Sequence, residues 1–354
     1  MKITPPPNIQ CGSAQVQRKE RLSGMELLRI IAMFLVLVVH ADYFSLGAPT
    51  YQDVQQDSMA SFARMFFQSL SIGCVNLFVL LSGWFGIRPK LSSFLNLMFQ
   101  CAYFLFGIYA ICLITGVSQL NSHGLKGCML LLKWNWFIKA YILLFIMAPI
   151  LNAYIDNATQ RQHGLLIVWF YVFQTIYSWL SDAAVFFEHG YSTVSFMGLY
   201  LLARYFAKYP LKITSYTRHY YLLFFLLSVL FMAVVCLVAT KYNINAVSSR
   251  MFKYDQPLVI VASLSLIVYF SKLSFRSSAV NWIAASSFAV FLLHTNPNLC
   301  KQYFVPTIKT LYSTHNGITC IVAIFVFLIA VYVVAVLADQ PRKFLWGKIK
   351  YTIE

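Results

Sequence analysis

Long apolar segments recur along the whole of this sequence, and each is roughly 20 residues long. A helix of that length can cross about 30 Å of hydrocarbon. In lipid every backbone polar group needs a partner within the protein, so a spanning segment must be a helix or a strand of a closed barrel. The segments are continuously apolar and show no alternation, so they predict helices.

The predicted fold class is all-α, a polytopic integral membrane protein of about ten transmembrane helices. Of its 354 residues, 60% are hydrophobic and 11% are charged, and a soluble core of this size cannot bury so much apolar surface. We predict an N-terminal tail at 1–24, a transmembrane domain at 25–340 and a C-terminal tail at 341–354. The helices are predicted near 26–46, 66–86, 91–117, 134–152, 164–181, 190–207, 219–240, 255–272, 279–297 and 317–338.

The basic residues give the chain a formal net charge of +16. They form short clusters between apolar segments and no separate basic domain, which favours membrane topology over nucleic-acid binding. With a cytoplasmic N-terminus, 17 of the 27 lysines and arginines fall on the inner side and nine on the outer side, while Arg29 lies within the first helix. This asymmetry predicts that both tails are cytoplasmic. The eight cysteines make no CxxC pair, so we expect packing residues and no metal site.

The first predicted helix carries Arg29 and His40, which are 11 positions apart. That spacing is three turns plus about 20°, so both side chains project from one face, with a rise of about 16 Å. Arg29 suits the phosphates of cytoplasmic acetyl-coenzyme A, and His40 can accept a proton from a hydroxyl or carry an acyl group. The alternative is a snorkelling arginine and a histidine that only packs.

Two acidic residues lie near this pair. Glu26 is three residues before Arg29, so it can pair with the arginine and keep it oriented. Asp42 is two residues after His40, which puts it on a different face if the helix continues. A simple His–Asp dyad is therefore not expected, although Asp42 stays a candidate supporting residue.

Later segments supply further candidate site residues. In the second helix, Ser82 permits close helix approach and Arg88 adds positive charge at the inner mouth; small-residue packing and topology charge are the alternatives. In the fourth helix, Trp136 and Tyr141 offer an aromatic platform for a sugar ring, or belong to an interfacial aromatic belt. In the ninth helix, His294 is expected at a depth similar to that of His40.

These motifs, in this order, resemble the bacterial acyltransferase 3 family. RLSGMELLRIIAMFLVLVVHADYF at 21–44 is similar to the family's opening helix, in which arginine or lysine, ten residues and histidine follow one another. VNLFVLLSGWFGIR resembles its phenylalanine-rich segment ending in Ser-Gly, and WNWFIKAYILLFIMAPILN its Trp-Phe…Tyr…Pro-Leu-Asn stretch. FLLHTNP resembles Tyr-Leu-x-His-Pro, without the proline directly after histidine.

The resemblance implies an O-acetyltransferase of the bacterial cytoplasmic membrane. It would move an acetyl or other short acyl group from acetyl-coenzyme A to a hydroxyl of a cell-surface or lipid-linked glycan, with His40 as catalytic residue and Arg29 assisting donor binding. Membrane lipids are the other expected contacts. Two alternatives stay open, a transporter or flippase for glycan intermediates and a non-catalytic subunit of a polysaccharide-synthesis complex.

Overall fold

A computed structural model describes residues 23–181 and 186–353. Residues 1–22, which form most of the predicted N-terminal tail and include Cys11, lie outside this range, as do 182–185 and 354. The described residues form helices and connections, with no β-strand among them. The helices are α1 (Gly24–Val39), α2 (Tyr51–Gln56), α3 (Ser58–Ser71), α4 (Cys74–Phe85), α5 (Leu91–Ile114), α6 (Ser122–Cys128), α7 (Trp136–Asn157), α8 (Gln160–Gln174), α9 (Thr193–Lys208), α10 (Arg218–Lys241), α11 (Asn245–Met251), α12 (Pro257–Ser271), α13 (Ser278–Ala284), α14 (Ser287–His294), α15 (Pro297–Leu299), α16 (Val305–Thr314) and α17 (Gly317–Ile353).

Short π-helical and 3₁₀-helical turns extend or join these helices. The π turns are a rare type that occurs often at functional sites, and one of them begins at His40, where α1 ends. The π turns are His40–Phe44, Thr175–Leu180 and Cys300–Phe304, and the 3₁₀ turns are Lys133–Asn135, Glu188–Gly190 and Lys212–Thr214.

Helices occur at all ten positions that hydropathy predicts. In the described part of the chain, six helical segments are long and apolar enough to cross a membrane, and a bent pair, Ser278–His294 with Pro297–Thr314, makes up to seven. The multi-pass character of the chain follows from these segments. They are Gly24–Phe44, Ser58–Phe85, Leu91–Ile114, Ser122–Asn157, Arg218–Lys241 and Gly317–Lys350.

The first helix lies at the centre of the bundle. It packs against α3, α4, α12, α13, α14 and α17. Of the most apolar 18-residue stretch in the span Gly24–Phe44, 67% is buried within the protein, against 28% in the last span, Gly317–Lys350. Large apolar residues on the outer helices, such as Phe231 and Val326, remain exposed on the protein surface. A helix that is apolar all round can face lipid or protein, so hydropathy alone does not distinguish the central helix from the peripheral ones.

The last helix continues through the segment predicted as a C-terminal tail. Arg342 binds the buried Asp339 through two hydrogen bonds of 2.8 and 3.0 Å, and its third nitrogen donates to Asn96 on α5 at 2.9 Å. Gln100 also donates to Asp339, at 3.3 Å. A buried charge needs such partners, and this network keeps residues beyond 340 helical and attached to α5.

Helices α4 and α9 make a close backbone contact. A Cβ atom on Gly83 would lie 2.7 Å from the Tyr200 carbonyl oxygen and 2.8 Å from the Ala203 Cβ. A glycine lets two backbones approach in this way within a membrane. Gly83 therefore has a packing role, one of the two roles that the sequence left open for this segment.

Replacing Gly83 with alanine should separate α4 from α9, because the methyl group would meet backbone that cannot move aside. We expect Gly83→Ala to lower the free energy of unfolding by about 1–3 kcal/mol, measured as a lower melting temperature in detergent. Gly107 on α5 is the matched control, since a Cβ there would meet nothing within 4 Å. Equal melting temperatures for the two variants would contradict the close contact.

Candidate functional site

Two histidines from distant parts of the sequence meet in the bundle. His40 begins the π turn after α1, and His294 is the last residue of α14. The His40 Nδ1 and the His294 Nε2 are 2.7 Å apart, and the ring centroids are separated by 5.0 Å. The structure thus brings these two predicted site residues into direct hydrogen-bond contact.

The hydrogen bonds of His294 determine which nitrogens carry protons when both rings are neutral. The His294 Nδ1 is 2.6 Å from the Val290 carbonyl oxygen, which can only accept, so this nitrogen carries the proton. The His294 Nε2 is then an acceptor, and the His40 Nδ1 must donate to it. This assignment leaves the His40 Nε2 without a proton and free to act as a base.

His40 lines a cavity of about 380 Å³. From α1 and its π turn, the lining extends over Met33, Val36, Val39, His40, Tyr43 and Phe44. Most of the remaining wall is aromatic, and Gln68 and Thr295 add polar side chains to it. An apolar cavity with a few convergent polar groups is the usual form of a small-molecule site.

Three aromatic rings form one wall of the cavity. The centroids of Trp136 and Tyr191 are 4.6 Å apart, and those of Tyr191 and Tyr254 are 4.7 Å apart. Trp136 and Tyr254 are nearly parallel, at 28° and 6.1 Å. Each ring comes from a different part of the chain, so this aromatic wall exists only in the folded protein.

A second aromatic group separates the cavity from polar residues on its other side. Phe137 packs against Phe78 and Phe291 with centroid distances of 6.5 and 5.4 Å, and all three rings line the cavity. Tyr141 lies behind Phe137, and its ring stacks on the Phe137 ring. The Tyr141 hydroxyl lies 3.0 Å from the Ser82 Oγ, which itself donates to the Phe78 carbonyl oxygen at 2.9 Å, so Tyr141 is the donor between them.

The charged candidates lie outside the cavity. Arg29 pairs with the buried Glu26, as their spacing predicts, and its side chain is 26% exposed. It is one helical turn, or about 6 Å, before Met33, where the cavity lining on α1 begins. Arg88 is exposed, and its side chain makes no ion pair or hydrogen bond within the described residues.

Asp42 is held by a partner of its own. Its Oδ1 accepts a hydrogen bond from the Arg64 Nε at 2.7 Å, and the same guanidinium also donates to the Gly47 carbonyl oxygen. Asp42 therefore binds Arg64 on α3, while His40 turns to His294 on α14. No His–Asp dyad forms, in agreement with their spacing.

The cavity also contains residues that sequence reasoning did not single out. Gln68 is a polar residue within a predicted span, which is a signal that was available from the sequence. Tyr191 and Tyr254 gave no such signal among 22 tyrosines. Within 23–181 and 186–353, no group of three or more His, Cys, Asp or Glu side chains could hold a metal ion.

Comparisons with known proteins agree with the sequence motifs. A family model described as an acyltransferase domain, that of the acyltransferase 3 family, matches residues 22–339. Searches of curated proteins and of solved structures found no match. The match includes both histidines and every helix that lines the cavity. The chain is therefore a multi-pass membrane protein that belongs to the acyltransferase 3 family.

Proposed function

We propose that this protein transfers an acetyl or other short acyl group from acetyl-coenzyme A to a hydroxyl of a cell-surface or lipid-linked glycan at the bacterial inner membrane. The observation that carries the proposal is the His40–His294 hydrogen bond, which leaves the His40 Nε2 unprotonated beside a cavity. Membership of an acyltransferase family supplies the reaction class. The donor, the acceptor and the role of His40 are our inferences.

The donor would bind from the cytoplasmic side. In the topology that we propose, about ten helices cross the membrane and both tails are cytoplasmic, so the Arg29 end of α1 faces the compartment that contains acetyl-coenzyme A. Arg29 and the exposed Arg88 would hold its phosphates. The Ser82–Tyr141 pair supplies polar contacts on the same side, and the thioester would pass the rings around Phe137 to reach His40.

The acceptor would bind at the aromatic wall formed by Trp136, Tyr191 and Tyr254. Flat rings of this kind provide a large contact surface at low cost in conformational entropy. Tyrosine and tryptophan also carry donors for sugar hydroxyls. A sugar resting on this wall would have a hydroxyl within the cavity that His40 lines.

The reaction needs only one proton acceptor at the bond-forming site. The acceptor oxygen attacks the thioester carbonyl carbon while its proton moves to the His40 Nε2. The C–O bond forms, the C–S bond breaks, and the coenzyme A thiolate takes the proton back from His40. In the alternative sequence, the His40 Nε2 attacks the thioester carbonyl carbon, the N–C bond forms, and the C–S bond breaks to release the coenzyme A thiolate. The acceptor oxygen then attacks the acyl carbon, the N–C bond breaks, and the proton of the acceptor neutralises the thiolate.

Removing either histidine tests this assignment. We expect His40→Ala to lower kcat for acyl transfer to glycan by about 10²–10⁴-fold, the usual contribution of a positioned base. His294→Ala should also lower kcat, because His40 loses the acceptor that fixes its tautomer. The double variant should be no slower than His40→Ala, since the two residues act as a unit.

His315 provides the control for this histidine series. It lies in the connection between α16 and α17 and is not part of the cavity, so His315→Ala should retain the wild-type kcat. Initial rates are measured with radiolabelled acetyl-coenzyme A and protein purified in a folded state. Full activity of His40→Ala would remove the proposed mechanism, whereas a purified wild-type protein that transfers no acyl group would favour a non-catalytic role in glycan assembly.

Acetyl-coenzyme A binding separates an acyltransferase from a glycan transporter. At 100 times the Kd, a ligand that binds only the folded protein adds about 2.7 kcal/mol of stability, so the wild-type melting temperature should rise with acetyl-coenzyme A. We expect Arg29→Gln to weaken this effect and Lys309→Gln, on the predicted outer side, to leave it unchanged. A wild-type protein without any thermal shift would support the transporter.

The aromatic wall predicts a separate effect on acceptor binding. Trp136→Ala should raise the KM for the glycan about tenfold, equivalent to about 1.4 kcal/mol, because the sugar loses one ring of its platform. The stabilisation by acetyl-coenzyme A should not change. Trp169, which is 68% exposed on α8 and distant from the cavity lining, is the matched control. Equal KM values for the two variants would assign Trp136 to packing.

A further inference from the structure

Gln68 is a buried amide that lacks a protein partner. It lies on α3, its residue is 3% exposed, and it lines the same cavity as His40. Its Oε1 is buried without a hydrogen bond, and its Nε2 makes none with the described residues. Buried polar side chains nearly always have partners, so an unpartnered amide on a cavity wall indicates a ligand that supplies them.

The Asp42–Arg64 ion pair fixes the depth of Gln68 relative to His40. It aligns residue 42 of the first span with residue 64 of α3, which runs in the opposite direction. Gln68 is four residues, or about 6 Å, beyond Arg64 along α3, in the direction of the Arg29 end of α1. His40 is two residues, or about 3 Å, before Asp42 along the first span, in the same direction. The same Arg64 side chain also donates to the Gly47 carbonyl oxygen, so residue 64 lies beside 42–47 and Gln68 lies at about the depth of His40.

That position is beside the proposed reaction centre. A thioester held at the level of His40 would therefore also be at the level of Gln68. The hydroxyl proton of Thr295 is already used in a hydrogen bond within the protein, since it is donated to the Phe291 carbonyl oxygen at 2.6 Å. Gln68 is an uncommitted amide, and an amide offers two N–H donors without adding charge to an apolar cavity.

We propose that Gln68 is a catalytic residue whose side-chain N–H donates to the carbonyl oxygen of the acyl thioester, an inference that rests on the proposed function. When the acceptor oxygen attacks the carbonyl carbon, the π electron pair of the carbonyl moves onto its oxygen. The Gln68 amide stabilises this oxyanion until the pair returns and expels the thiolate of coenzyme A. A preoriented donor stabilises such charge best where water is excluded.

A second glutamine provides the matched control. Gln174 on α8 is 2% exposed and also has an oxygen without a hydrogen bond, but it does not line the cavity. Burial of an unsatisfied amide is therefore common to both residues, and only Gln68 combines it with a position beside His40. Any general effect of replacing a buried amide by an apolar side chain should appear equally in both.

The experiment compares Gln68→Leu with Gln174→Leu in the full-length protein. We expect Gln68→Leu to lower kcat by about 10²–10³-fold, the usual loss for one oxyanion donor, with the KM for acetyl-coenzyme A and the melting temperature close to the Gln174→Leu values. The carbonyl stretch of bound ¹³C-labelled acetyl-coenzyme A should lie at lower frequency in the wild type than in Gln68→Leu. If Gln68 had a purely structural role, Gln68→Leu would not lower kcat without also changing the KM or the melting temperature. It would also leave the carbonyl frequency unchanged.

A second variant keeps the inference testable if Gln68→Leu does not fold. Gln68→Glu retains the shape, but its carboxylate has no donor at neutral pH and regains one when protonated. Its kcat relative to wild type should therefore rise as the pH falls. A kcat within about threefold of wild type for a folded Gln68→Leu, or a pH-independent ratio for Gln68→Glu, would overturn the role of Gln68. With an active wild type and an inactive His40→Ala, that result leaves the proposed function intact, whereas a wild-type protein that transfers no acyl group overturns the function itself.

Discussion

The hydrogen bond between His40 and His294 is the interaction on which the rest of the site depends. It joins the end of α1 to the end of α14, and in a membrane interior water does not compete for such groups. Because the Val290 carbonyl fixes the proton of the second ring, the first ring has one defined free nitrogen. In the mechanism that we propose, this contact determines the reactive atom and its orientation.

The bundle divides its polar groups into two sets. Asp42 with Arg64, and Asp339 with Arg342, are ion pairs that compensate the cost of charge within the protein. The His40 Nε2 and the Gln68 amide have no such compensation and face a cavity. Uncompensated polar groups cost stability, and two of them on the lining of one cavity are the pattern expected of a site that binds and converts a ligand.

The aromatic residues also have two functions in this arrangement. The rings around Phe137 separate the cavity from the polar residues near Ser82 and Tyr141, and the wall that includes Trp136 lines the cavity itself. The reaction that we propose, between a cytoplasmic donor and an acceptor from the other face, would require such a separation. Without it, water would reach the thioester and hydrolysis would compete with transfer.

Sequence alone determined the helical class and the positions of the helices, because lipid requires continuous apolar helices. It also predicted one face for Arg29 and His40, because helical periodicity relates side chains along a helix. Pairing of Glu26 with Arg29 is equally local. Only the tertiary structure decided that His40 contacts a histidine 254 positions away, that Asp42 binds Arg64, and that Gln68 enters the same cavity. Hydropathy gives the depth of a residue but not its neighbours, since apolar helices pack in lipid through small residues and shape, and these leave no periodic signal in the sequence.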